Sequence, residues 1–234
     1  MQAVRLHRRK GPAVHRLGLM NTSVTDTKYR QDLIDVAARC YDKGYICGLE
    51  GNFSIRLESN LILTTPRGCC KARLNKDELV LTDLEGEAIG DGKPSTELKM
   101  HLIVYKARPD VGAVVHAHPT TAVGLTIAGV DLTVPILPEV VCTLGKIPTA
   151  PYATPSTKEM PDSILPFLSE HDALMLSHHG ALALGTDIWD AFYKLETVEH
   201  FAQTLLVAKL AGGAVPLSDH HIANLMAIKH IYKK

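Results

Sequence analysis

The spacing of apolar positions predicts two helices, one near each end of the folded part of the chain. Within residues 29–43 the apolar side chains fall mainly on one helical face, and Gly44 follows as a stop. Within residues 187–210 a longer apolar stripe repeats at helical spacing, and Gly212 and Gly213 follow it. Both segments therefore favour helices that pack one face against a core.

Short runs of apolar and β-branched residues predict strands. Residues 52–57 and 61–65 read as a hairpin with a polar turn, and residues 79–82 read as a further strand. Residues 111–116 and 173–177 are apolar almost throughout, which is typical of strands that are buried on both faces. The sequence thus predicts a sheet with at least two fully buried strands.

The region between these elements contains one predicted helix and one segment interrupted by prolines. Pro94-Ser95-Thr96-Glu97 predicts a helix start, with Ser95 or Thr96 as the cap and Ala107 as the end. Between the two buried strands we expect strand and loop, because prolines recur there: Pro135, Pro138, Pro148, Pro151 and Pro155. The alternation of helices and strands indicates a layered α/β domain.

Composition fits one globular domain with no general attraction to polyanions. The chain has 234 residues, 46% of them hydrophobic, and its 25 basic and 25 acidic residues cancel. A balanced charge predicts no nucleic-acid or membrane partner, so any phosphate must be held by local groups. No apolar run reaches the roughly 18–20 residues that span a bilayer. The five cysteines form no CxxC pair, which favours the reducing cytoplasm.

The first 25 residues differ from the rest of the chain. Their five lysines and arginines all precede Asp26, the first acidic residue. We expect residues 1–25 to be a basic, poorly ordered extension and residues 26–234 to form the domain. A leader resembling a transit peptide, a basic interaction tail, and upstream sequence before a start at Met20 are the alternatives.

Three histidines stand at the ends of the two buried strands. His116 and His118 are two residues apart, so strand alternation points both imidazoles to one side, and His179 follows the second strand. An HxH pair arises by chance roughly 0.6 times in such a chain, and surface, turn or hydrogen-bonded core histidines are the alternatives. Both strands nevertheless end in histidine, where α/β folds place ligands, and three histidines with one open position are typical of catalytic zinc.

Two polar segments could hold an anion. Ser95 and Thr96 offer hydroxyls at a predicted helix N-terminus, and residues 48–54 contain glycines that allow close approach of a ligand. Glycine-rich turns often only turn the chain. Glu97 lies in the first helical turn, where it could complete a cap or, alternatively, move a proton.

Taken together, these segments resemble the class II aldolase and adducin head family, and the resemblance covers residues 29–228. The motifs that carry it occur in family order: Gly51-Asn52-Phe53-Ser54-Ile55-Arg56, Thr65-Pro66-Arg67-Gly68, Pro94-Ser95-Thr96-Glu97, Val114-Val115-His116-Ala117-His118-Pro119, Ala150-Pro151-Tyr152, His178-His179-Gly180 and Leu217-Ser218-Asp219. A series of short motifs in order is far more specific than any one of them.

The resemblance implies a three-layer α/β/α sandwich with a mostly antiparallel or mixed sheet, assembled as a homotetramer with active sites at subunit interfaces. It implies that His116, His118 and His179 bind Zn²⁺, and that Glu97 is an acid/base that also touches the resting metal. The residues it assigns to a phosphate pocket are Gly51, Asn52, Arg67, Gly68, Ser95 and Thr96. Fuculose-phosphate aldolases have Thr-Gly at Arg67-Gly68, and their proton-donating tyrosine has no clear match here. Glu139 lies near that place and is the candidate for the role.

The activity implied is reversible, zinc-dependent cleavage of a phosphorylated ketose to dihydroxyacetone phosphate and an aldehyde. The alternatives are dehydration, epimerisation or decarboxylation of a sugar phosphate at the same metal. A non-catalytic interaction module like the adducin head is a further alternative, although that module lacks the metal histidines and all three are present here.

Overall fold

A mixed eight-stranded sheet forms the centre of the computed structural model, which describes residues 22–232. Its strands are β1 Asn52–Arg56, β2 Ile62–Thr64, β3 Val80–Thr82, β4 Ala88–Ile89, β5 Ala113–Ala117, β6 Thr149–Ala150, β7 Ala173–Leu176 and β8 Gly180–Gly185. Their order across the sheet is β4-β3-β2-β1-β5-β8-β7-β6. Neighbouring strands are antiparallel except β6 and β7, which are parallel. The expected mostly antiparallel or mixed sheet is confirmed.

Helices cover both faces of this sheet. They are α1 Thr22–Asp42, α2 Leu98–Ala107, α3 Thr120–Ile127, α4 Pro138–Thr143, α5 Glu159–Ile164, α6 Ile188–Leu210 and α7 Asp219–Ile228. One apolar core lies between the sheet and α1, α3 and α6, and a second lies between the sheet and α2 and α5. The three-layer α/β/α arrangement is therefore confirmed. None of the described helices is both long and apolar enough to cross a membrane.

Strand alternation explains why the central strands are apolar on both faces. In β7, Ala173 and Met175 belong to the first core, whereas Leu174 and Leu176 belong to the second. The side chains of a strand point alternately to opposite faces, so a strand with a helical layer on each side has no solvent-facing set.

Several predicted elements appear close to their expected positions. β1 and β2 form the expected antiparallel hairpin, and α1 ends just before Gly44, which has φ +70°. α6 begins after Asp187, whose carboxylate accepts a hydrogen bond from the Asp190 amide at 2.8 Å. That bond satisfies one of the amides that a helix start leaves without an internal partner.

The expectation of strand and loop between the two buried strands is correct only in part, because strand β6 and loops occupy most of residues 135–155 but helices are also present. This region holds α3, α4 and α5, and its one strand in the described structure is the two-residue β6. Pro138 is the first residue of α4, where proline's fixed φ suits a helix and its missing N–H removes no internal bond. Proline here marks a helix start. β4, β8 and α7 are further elements that the sequence pattern did not predict.

Two predicted boundaries differ from those in the structure. α2 begins at Leu98, with Glu97 at the cap position. The expectation that Ser95 or Thr96 is the N-cap is therefore wrong. The predicted extension of residues 1–25 overlaps α1, which includes residues 22–25. Residues 1–21 lie outside the described residues, and the extension stays a prediction.

Candidate functional site

The three histidines meet at one edge of the sheet. β8 lies antiparallel between β5 and β7, so β5 and β7 run in the same direction and both end at this edge. His116 and His118 come from the end of β5, and His179 comes from the turn that joins β7 to β8. One ligand atom from each histidine lies within 4.8 Å of the others. The structure thus brings together the three residues expected to bind a metal.

The Nδ1 atoms of His116 and His118 each contact a neighbouring oxygen, and their Nε2 atoms face each other. Nδ1 of His116 lies 2.9 Å from the carbonyl oxygen of Ala181, which can only accept, so this nitrogen carries the proton. Nδ1 of His118 lies 3.3 Å from Oε2 of Glu50. The two Nε2 atoms are then 3.1 Å apart, each presenting a lone pair to the same space.

Burial keeps the imidazoles of His118 and His179 neutral. Removal from water, reinforced by the nearby His116, lowers the pKa of His118 and of His179 to about 4. A metal binds the unprotonated imidazole, so at neutral pH these residues need lose no proton before binding one.

The carboxylate of Glu97 lies beside the three histidines. Its Oε2 lies 3.4 Å from Nε2 of His116, and its Oε1 lies 3.4 Å from Nε2 of His179. Burial by itself would raise the pKa of Glu97, but its close contact with His116, then the nearby His179 and the hydrogen bond from Asn52, lower it well below its usual range. Although Glu97 occupies the cap position of α2, its side chain makes no capping hydrogen bond and instead accepts one from Nδ2 of Asn52 at 2.9 Å.

This donor set fits a divalent metal ion. Imidazole lone pairs and an ionised carboxylate oxygen converge on one space, and such acceptors repel one another unless a cation lies between them. The backbone also leaves room for the rings, because a Cβ at Gly180 would lie 2.6 Å from Cδ2 of His118 and 2.9 Å from Cε1 of His116. Any larger residue at position 180 would displace two of the three imidazoles.

The face of β1 toward α2 carries polar side chains that contact Glu97 and residues of α2. Asn52 binds Glu97, and two residues on, the Ser54 hydroxyl lies 2.6 Å from Nδ1 of His101 and 2.8 Å from the hydroxyl of Tyr105. Burial lowers the pKa of His101 to about 3, so this ring is neutral. These contacts hold α2 against β1 and so set the position of Glu97.

The residues expected to bind phosphate lie on adjacent loops. Arg67 donates its amide to the Lys93 carbonyl at 3.1 Å, and the Ser95 amide donates to the Thr65 carbonyl at 3.2 Å, which places residues 65–68 beside residues 93–96. Thr96, Arg67 and Gly68 are exposed, whereas Asn52 is buried and its Oδ1 has no hydrogen-bond partner.

Gly51 joins this region closely to the histidines. It has φ +72°, and a Cβ there would lie 2.6 Å from Cγ2 of Ile46 and 3.1 Å from the carbonyl oxygen of His116. Only glycine fits this position without displacing the strand that carries His116.

Glu139 is the one expected site residue that the structure places elsewhere. It lies in the first turn of α4 and lines a cavity of about 700 Å³ together with Lys43, Tyr45 and Glu196. Among the described residues, no recorded hydrogen bond or ion pair joins its side chain to the three histidines or to Glu97.

Two residues of the site were not identified from the sequence. Glu50 contacts His118 and accepts a hydrogen bond from the Cys47 amide at 3.3 Å. The Ser156 hydroxyl donates to the Thr96 hydroxyl at 3.1 Å, from a backbone position with φ +64°. Glu50 lies within the glycine-rich segment of residues 48–54, and Ser156 follows the Ala150-Pro151-Tyr152 motif. Both residues are therefore close in sequence to segments that the sequence analysis had identified.

Comparisons with known proteins agree with this architecture. The family model described as "Class II Aldolase and Adducin N-terminal domain" matches residues 31–206. A 3-oxo-tetronate 4-phosphate decarboxylase of Pectobacterium atrosepticum is 29% identical, over 82% of this chain and 90% of its own length. An L-fuculose phosphate aldolase of Methanococcus maripaludis is 33% identical, over 74% of this chain and 93% of its own length. The crystal structure of Escherichia coli YgbL superposes with a TM-score of 0.81 at 28% identity, covering 86% of this chain and 99% of YgbL.

Proposed function

The chain belongs to the class II aldolase and adducin N-terminal domain family, and from this premise we propose that it is a zinc-dependent lyase acting on a phosphorylated ketose. The products of the proposed reaction are dihydroxyacetone phosphate and an aldehyde. The observation that carries the proposal is the convergence of His116, His118 and His179 on one space beside an ionised Glu97.

Zinc is the proposed metal because three imidazoles with room for a further ligand are its usual catalytic donor set. Bound there, it would act as a Lewis acid that stabilises the negative charge developing on the substrate oxygens when a carbon–carbon bond beside a ketone breaks. The Glu50 carboxylate and the Ala181 carbonyl would keep the His118 and His116 rings oriented toward it.

Glu97 is the proposed proton carrier. It is ionised in the folded protein, it lies beside two of the metal histidines, and it is not used as a helix cap. In the cleavage direction it takes the proton of the substrate hydroxyl that becomes the aldehyde and then gives it to the carbon left beside the ketone, and in the synthetic direction the proton moves the opposite way. Asn52 holds the carboxylate by donating to Oε2.

Substrate phosphate is proposed to bind between the two adjacent loops. Asn52, Ser95 and Thr96 supply side-chain donors, the backbone at Gly51 and Gly68 approaches without a side chain in the way, and Arg67 lies beside Gly68. The overall charge of the chain is zero, so this recognition depends on local donors.

Decarboxylation is a second candidate, favoured by the names of relatives such as the Pectobacterium enzyme. A 3-oxo-tetronate 4-phosphate that loses CO₂ from C1 leaves an electron pair on C2, beside the C3 ketone. Protonation of C2 gives dihydroxyacetone phosphate, the same product that aldol cleavage releases. The two reactions therefore require the same metal, phosphate pocket and proton carrier. They differ in the group that leaves and in the source of the proton, which is the substrate hydroxyl in aldol cleavage and water in decarboxylation.

A cytoplasmic homotetramer is also proposed. Large apolar side chains are exposed near the C-terminus, including Leu210 at 80%, Val215 at 88% and Ile231 at 69%, and a subunit interface would cover them. Glu139 lies in a separate cavity, so a catalytic role for it requires the site of a neighbouring subunit. The described cysteines are all free, as expected in a reducing compartment.

A product assay on zinc-loaded protein tests the proposal. Phosphorylated ketoses and 3-oxo-tetronate 4-phosphate are supplied in parallel, and dihydroxyacetone phosphate, aldehyde and CO₂ are measured separately. Dihydroxyacetone phosphate with aldehyde supports the aldolase, and dihydroxyacetone phosphate with CO₂ supports the decarboxylase. Protein that binds zinc but releases dihydroxyacetone phosphate from neither series would contradict both and point to dehydration or epimerisation.

A further inference from the structure

Lys71 is a buried lysine that joins two segments next to the proposed phosphate pocket, one leading to Gly51 and one following Gly68. It begins a short 3₁₀ turn after the Thr65-Pro66-Arg67-Gly68 segment, and only 3% of its surface is exposed. Its ammonium donates to the carbonyl of Leu49 at 2.8 Å and to the carbonyl of Cys69 at 3.0 Å. Leu49 lies two residues before Gly51, and Cys69 directly follows Gly68.

These two hydrogen bonds tie separate loops together. A lysine ammonium has three N–H donors, and the two carbonyls use two of them. The carbonyl oxygens of Leu49 and Cys69 are thereby directed toward the ammonium. An acceptor oxygen facing the pocket would repel a phosphate, so holding both carbonyls on Nζ favours anion binding between the loops.

The charge of Lys71 has no partner of opposite sign in the described part of the chain. Its recorded contacts there are the two neutral carbonyls, and no carboxylate forms an ion pair with it. Burial lowers the pKa of Lys71, while the neighbouring cysteines and the more distant Glu97 oppose that change. A buried charge is costly unless it is paired, so an anion bound nearby would offset that cost.

We propose that Lys71 is a positioning residue for the substrate phosphate: its ammonium joins the segment before Gly51 to the segment after Gly68 and supplies the positive charge that the phosphate dianion neutralises. This inference rests on the proposed recognition of a phosphorylated substrate, and it adds a residue to that pocket. A lysine that merely joined two loops would stabilise the fold but would not distinguish phosphorylated from unphosphorylated substrates.

The test compares Lys71→Met with Arg73→Met in zinc-loaded protein. Methionine keeps the length of the buried side chain and removes its charge. Arg73 lies in the same turn but is exposed, so its replacement makes the same change in net charge without touching the loops. Inorganic phosphate is the probe, titrated by calorimetry, and zinc content is measured on each sample.

We expect Lys71→Met to weaken phosphate binding about 10- to 100-fold, as loss of a charged hydrogen-bond donor does, and Arg73→Met to leave it unchanged. For a phosphorylated ketose, KM should rise by a similar factor while kcat changes little. Turnover of the unphosphorylated sugar should be the same in both variants and in wild type.

The outcomes separate the two proposals. Wild-type protein that binds no phosphate overturns phosphate recognition and the role of Lys71 together. Equal phosphate affinity in wild type and Lys71→Met overturns the role of Lys71 alone. Should Lys71→Met fail to fold, the ¹⁵N signal of the Lys71 ammonium is followed in wild type, and a signal that does not shift as phosphate saturates the protein overturns the inference.

Discussion

Replacement of Glu97 by glutamine separates a proton carrier from a structural residue. Glutamine keeps the size of the side chain, and its carbonyl oxygen can still accept the Asn52 hydrogen bond that now measures 2.9 Å. It cannot accept the proton. We expect Glu97→Gln to fold and to retain most of its zinc, because the three imidazoles remain.

The expected magnitudes follow from the contacts of Glu97. Loss of a helix cap costs about 0.5–2 kcal/mol, but Glu97 makes no capping hydrogen bond, so only its charge near the start of α2 is lost, worth about 0.3–1 kcal/mol. Loss of a general base lowers the rate about 10²- to 10⁴-fold, which corresponds to about 3–5 kcal/mol in the activation barrier. Catalysis should therefore suffer far more than stability.

The assay is the exchange of a C–H proton of dihydroxyacetone phosphate with solvent deuterium, followed by NMR. This exchange reports the proton step without requiring the aldehyde partner to be known. The control is Glu58→Gln, which makes the same chemical change at an exposed turn and should exchange like wild type. Wild-type exchange in a folded, zinc-loaded Glu97→Gln variant would refute the role of Glu97 and turn the search for the base to Glu139.

Four further predictions concern the metal and the pocket. His179→Ala should lose most bound zinc in a metal analysis, whereas His178→Ala, at an adjacent exposed position, should keep it. Glu50→Gln should weaken zinc affinity about 10- to 100-fold in a chelator competition, and an unchanged affinity would show that its contact with His118 is incidental. Ser95→Ala should raise KM for a phosphorylated ketose and leave zinc content alone; equal turnover of the unphosphorylated sugar in wild type would contradict the pocket. The metal-free protein should lose thermal stability as pH falls from about 6.5 toward about 4, because unfolded imidazoles take up protons that His118 and His179 in the folded state do not, and a melting temperature independent of pH in that range would count against their burial.

Local sequence patterns predicted the elements in which buried apolar residues recur at regular spacing. α6 carries an apolar stripe over six turns, and β5 and β7 are apolar enough to be read as buried strands from their own residues. The HxH spacing at the end of β5 points both rings to one side wherever the strand lies in the fold, and the metal hypothesis further needed His179 at the end of the second buried strand. Motif order then indicated the family, which the comparisons confirm.

The sequence pattern did not predict β8, because its small residues favour a strand only in their tertiary surroundings. Its small residues Ala181 and Ala183 lie in the core beneath α6, between two other strands. Alanine and glycine have weak strand preference by themselves, and their suitability comes from the close approach of neighbouring elements. The proline-rich segment misled for a related reason, since Pro138 is compatible with a helix start as well as with a loop.

The sequence by itself determined the layered fold class, the three histidines and the candidate anion segments, because each rests on short-range periodicity or on motifs within a few residues. Only the tertiary structure decided that Glu97 faces the histidines and Asn52 instead of capping α2, that Glu50 contacts His118, and that Lys71 joins two loops. Those contacts join residues far apart in the chain. Their formation depends on which faces of distant elements meet, and local backbone preferences carry no information about that.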